Sequence, residues 1–268
     1  MHLPRAPRSL RLRKLRRRAR RVLLSPFRRW IAREAESVVR VPPLDPAFVS
    51  ALKLIAPQYE SLQTDERSRL FWERDQNSAC STEDAALGPL LHAMPPPRRI
   101  LEIGPGLGRS AVFLSKRYFP TARFDLFDAT GHTTKYELEG SRYEDSFCGN
   151  LDVLRRCLEF NQVRDFSIIN ASATGGHLQP PAQKYDLIYS FYAVGFHWSV
   201  DHWIDEILGA CHDATLCVLM VPSHYQPSPR IASLPHAILE GSAPTLPEPW
   251  SAAYFLVFTP KPVPWLAV

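Results

Sequence analysis

The feature that most constrains the fold is a short apolar run that ends in an acid and a glycine-rich turn. Residues 99 to 110 read RILEIGPGLGRS, so that Glu102 is followed by glycines at alternate positions. Aliphatic residues before a glycine cluster predict a buried parallel strand, and the residues after the cluster predict a helix. Ligands of an open α/β sheet lie outside the carboxyl ends of its strands, so this turn predicts a nucleoside cofactor.

The spacing of the glycines separates two kinds of cofactor site. Gly104, Gly106 and Gly108 form G-x-G-x-G, whereas the dinucleotide fingerprint is G-x-G-x-x-G and places its pyrophosphate on the helix N-terminus. Arg109 stands where the third glycine of that fingerprint belongs. The spacing therefore disfavours a nicotinamide dehydrogenase. A glycine turn that only links a strand to a helix is the alternative interpretation.

The stretch from Glu102 to Gly108 resembles motif I of the class I S-adenosyl-L-methionine (SAM)-dependent methyltransferases. The resemblance implies an α/β fold with a Rossmann-like, seven-stranded, mostly parallel methyltransferase sheet flanked by helices. It also implies SAM as the cofactor, with its methionine end held by the acid and by the main chain of the turn. The residues concerned are Glu102, Gly104, Pro105, Gly106 and Gly108.

A second predicted strand with an acidic end agrees with this resemblance. Residues 122 to 128 read ARFDLFD, and Asp128 follows Gly108 by 20 residues. A βαβ unit brings a carboxylate to a ribose at about this separation, so we expect Asp128 to accept hydrogen bonds from the two ribose hydroxyls. Asp125 is the competing candidate, but it lies three residues before the strand end. An ordinary polar residue at a strand exit is the alternative interpretation of Asp128.

Later apolar runs complete the predicted sheet. Four of them predict strands, at residues 166–170, 185–190, 214–221 and 253–259. Residues 199–212 predict a helix between the second and third of these strands. The seven prolines in residues 222–250 favour an irregular path before the last strand. The resemblance covers residues 97 to about 222 well and the C-terminal region more loosely.

The ends of the third and fourth predicted strands supply further cofactor candidates. In the family that motif I resembles, residues after the third strand flank the adenine, which nominates Asn170, Ala171 and Ser172. This chain lacks the acid that is common there. Ser190 ends the fourth strand and is a further expected contact with SAM.

The segment after the fourth strand is where the resemblance places the chemistry. Methyl transfer chiefly requires in-line placement of the nucleophile, the methyl carbon and the sulfur. An oxygen nucleophile also needs a proton acceptor near neutral pH, which makes His197 the first choice, with Asp201 and His202 to orient or replace it. The alternative for His197 is a polar residue that caps helix 199–212 or packs on Trp198.

The same segment bears on the acceptor. Ribosomal RNA adenine dimethylases have a first motif similar to residues 102–108, but they carry an Asn-Leu-Pro-Tyr-type motif after the fourth strand. This chain has Ser190, Phe191 and Tyr192 there. Residues 190–197 have the pattern Ser-Phe-x-x-x-Gly-Phe-His, which resembles bacterial sugar O-methyltransferases, so an O-methyltransferase is favoured and Tyr192 is a candidate acceptor contact.

A long connection between the second strand and the next helix is typical of a lid or binding loop. It runs from residue 129 to residue 149, and its candidate acceptor contacts are His132, Tyr136 and Arg142. An arginine can pair with an anionic group such as a phosphate or uronate. A solvated loop without a ligand is the alternative.

Positive charge is concentrated at the N-terminus. The whole chain carries a net charge of +5, but residues 1–40 carry +12 and the remainder therefore carries −7. Apolar residues among the arginines favour a cationic amphipathic helix on an anionic membrane surface. Nucleic acid is a second partner for such charge, and a disordered extension or an organellar targeting peptide is a further interpretation.

These observations divide the chain into three parts. Residues 1–40 form the basic amphipathic or disordered arm, residues 41–98 a helical cap and linker, and residues 99–268 the SAM-binding methyltransferase domain. The five cysteines lack CxxC spacing, so neither a disulfide framework nor a metal site is supported. No apolar run approaches the ~20 residues that span a bilayer.

The combined expectation is a cytoplasmic methyltransferase, which the arm brings to the inner face of a membrane. Its acceptor is expected to be a small molecule, a glycan or a glycolipid precursor, with nucleic acid as the less favoured alternative. A non-catalytic scaffold that uses the fold for interaction is the remaining class, because fold alone does not assign function.

Overall fold

The computed structural model describes residues 39–40, 66–129, 151–191, 193–195, 198–241 and 253–266. For residues 66–76 it describes the backbone only. All these residues belong to one compact unit, Ser37–Val268. Nearly all of the predicted basic arm lies outside the described residues, so the arm stays a prediction.

Seven strands form one central sheet. They are β1 Arg99–Ile103, β2 Arg123–Asp128, β3 Phe166–Asn170, β4 Tyr185–Ser190, β5 Cys211–Pro222, β6 His236–Glu240 and β7 Ala253–Phe258. Their order across the sheet is β3-β2-β1-β4-β5-β7-β6. Strands β1 to β5 pair in parallel, and β7 pairs antiparallel with both β5 and β6. The prediction of a Rossmann-like, mostly parallel, seven-stranded sheet is confirmed.

Helices connect the strands and flank the sheet. The described α-helices are α1 Glu66–Ala93, α2 Arg109–Arg117, α3 Leu151–Phe160, α4 Val200–Ala210 and the one-turn α5 Pro229–Ala232. Short 3₁₀ turns follow at Ala171–Thr174 and Pro264–Leu266. None of the described helices is both long enough and apolar enough to cross a membrane.

The core lies on both faces of the sheet because successive strand residues point to opposite sides. On one face, Ile100 of β1 belongs to a cluster with Leu87 of α1 and Leu154 of α3. On the other face, Leu101 belongs to a cluster with Ile207 of α4. Burial on both sides explains why β1 reads as a continuous apolar run.

In its described part, from residue 66 onwards, the helical cap predicted before β1 is one long helix. Helix α1 runs for 28 residues and ends just before three consecutive prolines. Asn77 of α1 is hydrogen-bonded to the backbone of Val39. The Val39 N–H donates to Asn77 Oδ1 at 3.1 Å, and the Val39 carbonyl accepts from Asn77 Nδ2 at 2.8 Å. Asn161 makes the equivalent pair of bonds to the backbone of Arg40, at 2.8 and 2.6 Å.

The prediction of an irregular path after residue 222 is wrong for residues 229–240. Ser228 Oγ accepts a hydrogen bond from Ile231 N at 3.5 Å and so caps α5, while Pro229 occupies a first-turn position that needs no N–H donor. Strand β6 then forms the edge of the sheet beside β7. Residues 242–250 lie outside the described part of the chain.

Candidate functional site

The glycine turn lies at the carboxyl end of β1 and leads into α2. Gly104, Gly106 and Gly108 have φ angles of 71°, 55° and 75°, a region that residues with a Cβ rarely adopt. Gly104 N–H donates to the carbonyl oxygen of Phe127 at 2.9 Å, and Gly108 N–H donates to that of Pro105 at 2.8 Å. These bonds hold the turn beside the end of β2.

Two of the glycines have no room for a side chain. A Cβ on Gly104 would lie 2.2 Å from the Cβ of Ala193, and a Cβ on Gly108 would lie 2.9 Å from Leu154 Cδ1. The turn is therefore packed between the loop after β4 and helix α3. Its main chain is held in shape by the protein itself, so it offers a pre-formed surface to a ligand.

Asp128 ends β2 beside the glycine turn. Its Oδ2 accepts a hydrogen bond from Gly106 N at 3.2 Å, and its Oδ1 accepts one from Ala129 N at 2.8 Å. Burial raises the pKa of Asp128 to about 6, and the two N–H donors oppose that rise. At neutral pH the carboxylate is thus mostly ionised. The structure brings together the turn and the carboxylate that the sequence assigns to one nucleoside.

Asp125, the competing candidate, lies elsewhere. Its carboxylate pairs with Arg99, lies 3.2 Å from Arg123 Nε, and accepts a hydrogen bond from Tyr185 Oη at 3.0 Å. Each of these three partners is the first residue of its strand. Asp125 therefore points to the amino edge of the sheet, and of the two acids Asp128 is the one beside the glycine turn.

Glu102 is buried beneath the turn. Like Ile100, it points to the face of the sheet that α1 and α2 cover, and it accepts a hydrogen bond from Tyr189 Oη at 2.7 Å. Burial raises the pKa of Glu102 to about 8; Tyr189 and Arg109 oppose this rise. In the absence of a ligand, Glu102 therefore carries a proton over much of the neutral pH range.

A buried ion pair lies next to Glu102 and joins α1 to the start of α2. Arg109 Nη2 lies 2.5 Å from Glu83 Oε1, and at most a tenth of either side chain is exposed. The sequence predicted no role for Glu83, or for Arg109, which stands where the dinucleotide fingerprint has its third glycine. The available signal was an acid within the apolar stripe of α1 that includes Cys80 and Leu87.

The residues predicted to flank an adenine follow β3. Asp128 and Asn170 are partners in the parallel register of β2 and β3, so the two strand ends adjoin. Asn170 Oδ1 accepts a hydrogen bond from Ser172 N at 3.0 Å. Both residues are exposed, whereas the side chain of Ala171 is buried in the core. Asn170 and Ser172 therefore present polar atoms at the edge where Asp128 lies.

Ser190 connects two segments at the same edge. Its Oγ donates to the carbonyl oxygen of Ile103 at 2.7 Å and accepts from Val194 N at 2.9 Å. The side chain is completely buried. The hydroxyl thus fixes the loop after β4 against the end of β1. Its predicted contact with the cofactor stays a prediction.

Two of the three predicted catalytic residues lie in the described part. Asp201 and His202 are exposed in the first turn of α4. Burial raises the pKa of Tyr225 to about 12, and the negative charge of Asp201 adds to this rise. Tyr225 was not singled out in the sequence, where it follows β5 in a proline-rich stretch. It brings a phenol close enough to Asp201 to feel its charge.

The remaining predicted site residues lie outside the described residues. They are His132, Tyr136, Arg142, Tyr192 and His197. Gly195 N–H donates to the carbonyl oxygen of Trp198 at 2.7 Å. Trp198 stacks on Trp203, with ring centroids 5.2 Å apart. The start of α4 is thereby fixed.

No metal site is formed by the described residues. Among them, no group of three or more His, Cys, Asp or Glu side chains is placed to hold an ion. The described cysteines are free, buried thiols at positions 80, 157, 211 and 217.

Comparison with known proteins finds no matching family model and no matching curated protein. Among solved structures, an O-methyltransferase from Bacillus cereus in complex with SAH is 14% identical with a TM-score of 0.44, over 81% of this chain and 92% of that one. TomG from Streptomyces achromogenes, an O-methyltransferase involved in tomaymycin synthesis and solved with SAM, is 13% identical with a TM-score of 0.45, over 81% and 90%.

A third similar structure is the ribosomal protein L11 methylase from Lactobacillus delbrueckii subsp. bulgaricus. It is 14% identical with a TM-score of 0.45, over 68% of this chain and 79% of that one. At these identities and TM-scores the likeness is one of fold, and it assigns no acceptor.

Proposed function

We propose that this protein is a SAM-dependent methyltransferase that moves a methyl group from SAM to an acceptor hydroxyl by a single displacement. The observation that carries the proposal is the contact between Gly106 N and the Asp128 carboxylate, 3.2 Å apart at the carboxyl edge of the sheet. It joins the glycine turn to an acid at the place where open α/β sheets bind nucleosides. The resemblance of residues 102–108 to motif I supports SAM as the nucleoside.

The residues of this edge fit such a cofactor. The positive-φ glycines let a ligand approach the main chain closely, and Asp128 can accept hydrogen bonds from a ribose diol. Glu102 and the N–H groups of the turn are proposed to hold the methionine end, and Asn170 and Ser172 to flank the adenine. When bound, SAM supplies an electrophilic methyl group on a sulfonium.

The chain itself then has two tasks, which are to align the acceptor and to remove its proton. Alignment converts an encounter of two molecules into a reaction within one complex. For the proton we propose His197, because an imidazole exchanges protons near neutral pH. Asp201 and His202, in the first turn of α4, are proposed to orient His197 or to replace it.

A sugar or a glycolipid precursor is the acceptor class that we propose. The segment after β4 supports it through its resemblance to sugar O-methyltransferases. The net charge of +12 on residues 1–40 supports delivery to the anionic inner face of a membrane. The proposed acceptor contacts are Tyr192, His132, Tyr136 and Arg142.

The same basic arm favours RNA as a second candidate acceptor. Binding through many arginines releases counterions, so RNA affinity would fall steeply with salt concentration. The lack of an Asn-Leu-Pro-Tyr-type motif after β4 argues against an adenine nitrogen as the target.

One labelling experiment tests both candidates. The full chain is incubated with methyl-labelled SAM and with separated lipid, glycan and RNA fractions, and the label is located. Label in the lipid or glycan fraction is expected. Label in RNA would favour the second candidate, and SAM binding without any transfer would favour a non-catalytic protein.

Two variants accompany this experiment. Gly106→Arg places a large side chain in the turn at a φ of 55°, so it should abolish SAM binding in calorimetry. Retained affinity would contradict the cofactor site. His197→Ala should lower turnover by about 100-fold or more with little change in SAM affinity, and unchanged turnover would remove His197 as the base.

A further inference from the structure

A polar cluster lies buried beneath the glycine turn. Glu83 on α1 pairs with Arg109, the first residue of α2, while Tyr189 on β4 donates its hydrogen bond to Glu102 on β1. Glu83, Tyr189 and Ser110 also line one small cavity of about 20 Å³, enough for a single water molecule. Glu83 of the ion pair and Tyr189, the hydrogen-bond donor to Glu102, therefore line the same cavity.

The charges around Glu102 are unequal. The carboxyl groups of Glu83 and Asp128 both act on that of Glu102. Among the described residues that act on Glu102, Arg109 supplies the positive charge. Tyr189 stays neutral because burial, followed by the nearby carboxyl of Glu102, raises its pKa far above the usual value. Buried charges require compensation, so ionising every carboxyl group here calls for a further cation.

Resting on the proposed function, we propose that Glu83 and Arg109 are positioning residues for SAM. Their ion pair seats α1 against the glycine motif, and the two side chains set, in opposite directions, how readily Glu102 takes on the negative charge that a cationic cofactor requires. SAM carries an ammonium and a sulfonium against one carboxylate, so it brings a net positive charge to this site.

The opposite directions follow from the signs of the charges. Arg109 lowers the pKa of Glu102, whereas Glu83 raises it. Burial raises the pKa of Glu83 as well, and Arg109 counteracts that rise. The two carboxyl groups therefore compete for one guanidinium. Removing the charge of Glu83 leaves Arg109 to act on Glu102 alone.

Cofactor binding is then linked to the release of a proton. Below about pH 8 the ligand-free protein holds a proton on Glu102, and this proton leaves as the ammonium arrives. The affinity for SAM should rise with pH, by up to about tenfold per pH unit below the midpoint of Glu102, and fall again at higher pH as the α-ammonium of SAM, with an ordinary pKa of about 8, loses its own proton.

Calorimetric titration of the full chain with SAM between about pH 6 and pH 8.5 tests this coupling. Titrations in two buffers of different ionisation enthalpy count the protons released. Glu83→Gln should move the midpoint of the affinity profile to lower pH by about half a unit or more, and Arg109→Met should move it to higher pH by a similar amount. An ion pair that only braces the fold would weaken binding in both variants at every pH.

Two controls separate charge from packing. Arg109→Lys keeps the positive charge and should restore the midpoint towards that of the unmodified protein. Arg117→Gln removes a second link between the same two helices, because Arg117 Nη2 lies 3.3 Å from Asp84 Oδ2 with half of the arginine side chain exposed. It should leave the midpoint unchanged. Circular dichroism checks whether each variant is folded. If Arg109→Met does not fold, the shift of the midpoint in Glu83→Gln alone tests the inference.

The outcomes separate this inference from the proposed function. SAM binding with no proton release, or midpoints that shift in the same direction in Glu83→Gln and Arg109→Met, would overturn the inference and leave the methyltransferase proposal in place. Absence of SAM binding by the unmodified protein at every pH would overturn the proposed function, and the inference with it.

Discussion

The two edges of the central sheet hold their acids in different ways. At the amino edge, Asp125 is paired with Arg99 and Arg123 and also accepts a hydrogen bond from Tyr185. At the carboxyl edge, Asp128 receives hydrogen bonds only from backbone N–H groups in the described structure. One acid is neutralised by cations of the protein, and the other is held in place by neutral donors.

Titration behaviour follows the same division. Burial alone would raise the pKa of Asp186 at the amino edge, but the N–H of Arg99, the His212 side chain and the N–H of Arg98 together lower it. Burial raises the pKa of Asp128 at the carboxyl edge to about 6 despite its N–H donors. The comparison shows that Asp125 and Asp186 are tied to charged or polar partners within the protein, whereas Asp128 is the acid that we propose keeps its charge for a ligand.

The largest effect is expected from the amino edge. Asp125→Ala should lower the free energy of unfolding by about 4 kcal/mol, because it leaves two arginines and the Tyr185 hydroxyl without their buried partner. Urea denaturation measures this change. The folded fraction should bind SAM with unchanged affinity, and a parallel loss of affinity would break the division between the edges.

Three glycines give the next largest effect and its controls. Gly104→Ala should lower the free energy of unfolding by about 3 kcal/mol, because it combines a positive φ with a Cβ clash. Gly175 also has a positive φ, but a Cβ there would lie in open space, so Gly175→Ala should lower the free energy of unfolding by about 1 kcal/mol. Gly209→Ala in α4 has neither and should cause no loss. Equal losses in all three, by thermal denaturation, would contradict a turn shaped by packing.

The smallest change tests the carboxyl edge directly. Asp128→Asn keeps the shape of the side chain but removes its charge, so SAM affinity should fall by about 30-fold in calorimetry, or ~2 kcal/mol. Because ionising Asp128 costs stability in the folded state, Asp128→Asn should compare more favourably with the unmodified protein at pH 7 than at pH 4. The raised pKa of Asp128 means that folded protein binds more protons than unfolded chain between about pH 4 and pH 6, so stability falls as pH rises through that range. Asp128→Asn should remove this part of the pH dependence, whereas Asp125→Asn should leave SAM affinity intact.

Most of the sheet could be predicted because its strands are buried apolar runs. The predicted bounds of β3 and β4 agree with the structure at both ends. Strand β6 could not be predicted in the same way, since His236, Ile238 and Glu240 are exposed along an edge that prolines surround. A solvent-facing edge strand owes its place to pairing with β7, which no local pattern of hydrophobicity records.

The proximity of Asp128 to the glycine turn could be predicted because both follow parallel strands, whose carboxyl ends meet at one edge. The pairing of Arg109 with Glu83 could not. It depends on how α1 packs across the start of α2, and the two residues are 26 positions apart. The role of Tyr189 could not be predicted for a related reason. It lies within an apolar strand, and the sequence does not show that its hydroxyl donates a hydrogen bond to Glu102 on the neighbouring strand.

The asparagine contacts at residues 39 and 40 bear on how short the chain can become and still fold. A fragment that began at β1 would lose α1, expose the apolar surface that Leu87 and Leu91 cover, and leave Arg109 without the carboxylate of Glu83. A fragment that begins at or before Val39 keeps α1 and also the hydrogen bonds from Asn77 to Val39 and from Asn161 to Arg40. Truncation for expression or crystallisation should therefore stop short of Val39, with the cap left attached.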